Sequence, residues 1–75
     1  MEISLERLSK IFSSAFEGTV VLELDSTKEN VELWDSLKHL HLVLELEDEL
    51  NVQFTTSEIE QMVSVRKLLE ILKSK

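Results

Sequence analysis

No proline occurs in this chain, and Gly18 is its single glycine. Inside a helix a proline costs about 3 kcal/mol relative to alanine and a glycine about 1 kcal/mol. A chain nearly free of both leaves long stretches in which a helix runs uninterrupted. It also lacks cysteine and has only two histidines, so neither a disulfide nor a His/Cys zinc cluster can staple it. Stability must therefore come from helices packed on one another, and a hydrophobic fraction of 43% is enough for a small core. The expectation is one small all-α domain over residues 1–75, too short for a deep catalytic cleft walled on several sides.

Leu5, Leu8, Phe12, Ala15 and Phe16 recur at helical spacing, which predicts a first amphipathic helix over roughly residues 3–16 with Gly18 as its stop. Residues 17–34 form a long connection. In it, Val20-Val21-Leu22 with Leu24 reads as a short extended stretch or as a loop tucked onto the core, and Asp25 to Asn30 as a turn. A connection of this length is usually functional or packed down by its own side chains. A second helix is expected from about residue 36 to 50, with Asp35 as N-cap. Lys38 stands where a complete capping box would have Glu. Thr55-Thr56-Ser57-Glu58 fits such a box and opens a short third helix to about Met62. Ser64 then caps a fourth, with Val65, Leu68, Leu69 and Leu72 as its buried face and Lys73 and Lys75 suited to its end. The result is a small four-helix bundle with a long first loop and a short third helix.

Fifteen acids against eight bases give a formal charge of −7. That balance argues against nucleic acid, whose phosphates are bound largely by Lys and Arg, and against an anionic membrane surface. It favours partners with basic surfaces. Glu2, Glu6, Arg7 and Lys10 interrupt the apolar positions of residues 1–16, which breaks any signal-peptide core. No apolar run approaches the roughly 20 residues that span a bilayer. A cytoplasmic monomer is the expectation.

Wound at 100° per residue, the second helix has two apolar rows. Leu42, Val43, Leu46 and Leu50 share one side with His39, while Leu37, Leu40 and Leu44 lie opposite, beside His41, Glu47 and Asp48. A helix packed on one core needs only the first row. The second is either a docking surface with an acidic rim or the mark of a helix buried on both sides. Ser36 opens this helix, where serine is expected anyway as a cap. With Asp35 taking the cap, its hydroxyl is released toward solvent. A helix N-terminus, with free N–H groups and the positive end of the dipole, also suits a phosphodiester. His39 and His41 are two apart and fall on different sides of a helix, so no metal pair is expected. Ser36 near two histidines does not make a triad without an enclosing pocket or an oxyanion hole.

Asp35-Ser36-Leu37, followed by the run from Lys38 to Leu50 with its acidic end, resembles the acyl carrier proteins and their peptidyl and aminoacyl relatives. The resemblance covers the whole chain. It implies that Ser36 carries 4′-phosphopantetheine, derived from coenzyme A, whose thiol holds the cargo as a thioester. It also implies that Asp35 supports loading by a phosphopantetheinyl transferase. Leu37, Leu40, His41, Leu44, Glu47 and Asp48 would form the partner face, meeting basic grooves on a loading enzyme and on downstream transferases or synthases of fatty-acid, polyketide or similar pathways. Leu33 stands where the family commonly has glycine, and Lys38, His39 and His41 are more basic than its fatty-acid members tend to be, a wording closer to specialised stand-alone carriers. Trp34 is expected to pack at the end of the core. Phe12, Phe16, Leu46 and Phe54 are expected as large core residues that argue against a roomy cavity for long chains, while the apolar positions leave open whether a cargo chain is sheltered in the bundle or stays outside. The competing class is an acidic helical interaction module that lacks the prosthetic group. An enzyme is not expected.

Overall fold

The computed structural model describes residues 3–75. Its helices are α1 (Leu5–Phe16), α2 (Ser36–Leu50), α3 (Thr56–Gln61) and α4 (Val65–Lys73). Each begins at a side-chain cap of the residue just before it: Ser4, Asp35, Thr55 and Ser64 each accept a backbone N–H three residues on. Thr55 and Glu58 complete the reciprocal capping box. The first helix starts two residues later than its apolar pattern suggested, because Ser4 takes the cap and leaves Ile3 outside the helix.

One hydrophobic cluster joins all parts of the chain. Leu8, Phe12 and Phe16 of α1, Leu42 and Leu46 of α2, Met62, and Val65, Leu68 and Leu72 of α4 are its fully enclosed members. Three details differ from the pattern-based expectation. Ile71 rather than Leu69 completes the buried row of α4, with Leu69 packed at its margin. Phe54 is half-buried, under the Lys75 ammonium 5.4 Å from its ring centre. The left-handed residue that ends α1 is Glu17, at φ 55°, with the Gly18 N–H closing back onto the Ser13 carbonyl. At Gly18 itself, a Cβ would come within 2.9 Å of Leu33 Cδ1, the end of a flexible, part-exposed side chain that can move aside.

The long connection is tucked onto α1. Ser13 Oγ accepts the Val20 N–H at 2.9 Å and donates to the Val20 carbonyl, and Ser9 Oγ accepts the Leu22 N–H at 3.0 Å. These bonds turn Val20 and Leu22 into the core and leave Val21 between them exposed. Further on, Lys28 N–H donates to the Val63 carbonyl and Val65 N–H to the Ser26 carbonyl, tying the connection to the start of α4. The chain therefore arrives at residue 34 from a held position.

Candidate functional site

Trp34 sets the register in which α2 begins. It is 2% exposed and meets Phe12 edge-on at 5.0 Å between centroids, with Phe16 at 6.2 Å. Its indole N–H donates to His39 Nδ1 at 2.9 Å, and the other ring nitrogen of His39 lies 2.8 Å from the Ile59 carbonyl. An indole can only donate and a carbonyl can only accept, so the tautomer is fixed: Nδ1 is the acceptor and Nε2 carries the proton. One imidazole thus links the residue before the cap, the first turn of α2 and the body of α3. Composition gave no signal for this link; the signal available was a histidine among the core positions of the second helix, five residues after the lone tryptophan.

With Trp34 held, Asp35 and Ser36 emerge at the surface. Asp35 Oδ1 accepts the Lys38 N–H at 2.8 Å, and the Asp35 carbonyl accepts the first helical N–H, from His39, at 2.8 Å. Asp35 is therefore the cap, and Ser36 is exposed with its hydroxyl released from capping. The N–H groups of Ser36 and Leu37 have no acceptor among the described residues. A serine oxygen, two free donors and the positive end of a 15-residue helix meet at one exposed corner.

The second apolar row faces outward. Leu37 is 62% exposed, Leu40 56% and Leu44 65%, whereas Leu42, Val43, Leu46 and Leu50 are buried. His41 and Asp48 are exposed on the same side. With Leu44, Glu45, Glu17 and Ser14 they line a surface groove of about 400 Å³ between α2 and the end of α1. Glu47 differs from its neighbours. It is half-buried, and its Oε2 accepts the Phe54 N–H at 3.0 Å, which holds the link into α3. The ion pairs among the described residues are Glu6–Lys10, Glu58–Lys75 and Lys67–Glu70, so no acid of α2 is paired with a base among them.

No family model and no curated protein matches this sequence. Among solved structures, the solution NMR structure of a holo acyl carrier protein from Geobacter metallireducens matches with a TM-score of 0.82 and 28% identity, over 95% of this chain and 83% of that one. The chain has an acyl-carrier-protein fold.

Within this carrier-protein fold, the corner at Ser36 can be tested for a phosphodiester-linked group. The acceptor oxygen is exposed and free of capping duty, and unpartnered N–H groups suit phosphate oxygens. Asp35 is exposed, with one carboxylate oxygen committed to the cap. The residues fit the group. No cluster of His, Cys, Asp or Glu able to hold a metal ion occurs among the described residues. None of the described helices is long and apolar enough to cross a membrane.

Proposed function

We propose that this chain is a carrier protein whose Ser36 is the attachment point for 4′-phosphopantetheine. The observation that carries this is the exposed Ser36 at the start of α2, relieved of capping by Asp35, in a fold shared with a holo acyl carrier protein. In loading, Ser36 Oγ attacks the coenzyme A phosphorus that bears the pantetheine arm. A new Ser–O–P bond forms as the P–O bond to the adenosine 3′,5′-bisphosphate leaving group breaks, and the hydroxyl proton passes to a base of the transferase. Asp35 keeps Ser36 outside the cap, and its second oxygen faces the transferase or the metal ion that enzyme brings. Once attached, the arm supplies a thiol that holds an acyl or aminoacyl group as a thioester. The chain is then a cosubstrate of biosynthetic enzymes, with no catalytic group of its own.

Leu37, Leu40, His41, Leu44 and Asp48 form the face that meets those enzymes. Their exposure and the acids beside them, unpaired among the described residues, support docking to an apolar groove with a basic rim. Glu47 contributes charge to this face while its Oε2 remains on the Phe54 N–H. The same face also suits an acidic interaction module without the prosthetic group. Intact mass after incubation with coenzyme A and a broad-specificity phosphopantetheinyl transferase separates the two. A gain of one phosphopantetheine that Ser36→Ala abolishes, in a variant that still folds, is the expected result. No gain from the folded protein with several transferases would leave the interaction module.

A further inference from the structure

We infer that this carrier holds its cargo outside the helical bundle, and that its cargo is accordingly a short or polar acyl or aminoacyl group. The inference rests on the carrier reading. One turn after Ser36, His39 joins α2 to α3 through its bond to the Ile59 carbonyl. There the imidazole is 8% exposed and bonded on both sides, to the Trp34 indole at 2.9 Å and to the Ile59 carbonyl at 2.8 Å. Parting α2 from α3 at this point breaks the second bond and separates the His39 N–H from a part-buried carbonyl.

Behind His39 the interior is filled. Trp34 lies edge to edge with the imidazole, ring centres 6.0 Å apart and planes within 23°, joined by the indole hydrogen bond, and Phe12 closes on Trp34 edge-on. Leu42, Leu46 and Met62 are fully enclosed. A protein interior at close packing admits a chain of methylenes only by displacing side chains of similar volume. The displaced groups here would be aromatic rings held by directional contacts. A long aliphatic chain on the arm would therefore lie in water and lose the hydrophobic gain of burial, whereas a short or polar group loses little by staying outside.

Trp34 is the only tryptophan in the sequence, which makes its own surroundings the readout. The wild-type chain would be loaded by the transferase from acetyl-, hexanoyl- and dodecanoyl-coenzyme A, with intact mass confirming each product. Trp34 emission and the Trp34 indole ¹H–¹⁵N resonance would then be compared across the apo, holo and three acylated forms. The expected result is the same emission maximum and the same indole shift in all five. A change that grows with chain length would overturn the inference while leaving the carrier reading intact. A folded chain that gains no mass from any donor removes the carrier reading and this inference together.

Discussion

His39 shows how much one side chain decides near Ser36. Its ring accepts from Trp34 and donates to the Ile59 carbonyl, so the residue before the cap and the third helix are fixed by one group. Trp34→Phe keeps most of the aromatic contact with Phe12 but leaves His39 Nδ1 without a donor. A buried acceptor left unpaired costs about 1–3 kcal/mol, and a loss of that size is the expected shift in a urea titration followed by circular dichroism. A loss below about 0.5 kcal/mol would mean that water replaces the indole. Asp35 and Ser36 were legible in the sequence because capping is local chemistry: the donor lies three residues from the acceptor. The role of His39 was not, since its second partner is twenty residues away and only the packed fold brings it near.

At the scale of elements, the first connection is held by α1 as much as by its own residues. Ser13 satisfies both the N–H and the carbonyl of Val20, and Ser9 satisfies the Leu22 N–H. Ser13→Ala is expected to destabilise by about 1–3 kcal/mol through those orphaned groups. Native-state hydrogen exchange locates the effect. The Val20 amide should exchange much faster in the variant, while the Leu22 amide, held by Ser9, changes little. Equal acceleration of both would show that the connection comes off as a unit. Sequence periodicity anticipated α1, α2 and α4 because each buried row repeats within one element, while α3, which buries no residue fully, was marked by its Thr55–Glu58 capping box. For the connection it left two possibilities, since the short apolar run Val20-Val21-Leu22 with Leu24 suits an extended stretch as well as a loop tucked onto the core. The loop reading holds: serine hydroxyls of α1 take the Val20 and Leu22 backbone groups, and no strand forms there.

The whole molecule carries net negative charge, and its fold favours the ionised form of Glu58. The Thr55 backbone N–H, followed by the Lys75 ammonium, holds the Glu58 carboxyl below its ordinary value of 4.5. The ionised form is thus favoured by folding. Its contribution is fully present above that ordinary value and is lost as pH falls through the lower folded-state value. Because both members of the pair are part-exposed, the effect is modest. Comparing wild type with Glu58→Gln between pH 3 and pH 7 should show the variant less stable near neutrality and the two curves converging in acid. Parallel curves over the whole range would remove Glu58 as a source of acid sensitivity.

The two leucine rows of α2 divide the helix lengthwise. Leu42, Leu46 and Leu50 are enclosed while Leu37, Leu40 and Leu44 stand in solvent on the same rigid rod. Inheritance therefore acts on them separately. A substitution in the inner row is filtered by whether the chain folds at all, while under the proposed docking role one in the outer row is filtered only by which enzyme accepts it. On that proposal, lineages that share this bundle can exchange one set of enzymes for another by rewriting a single edge of one helix.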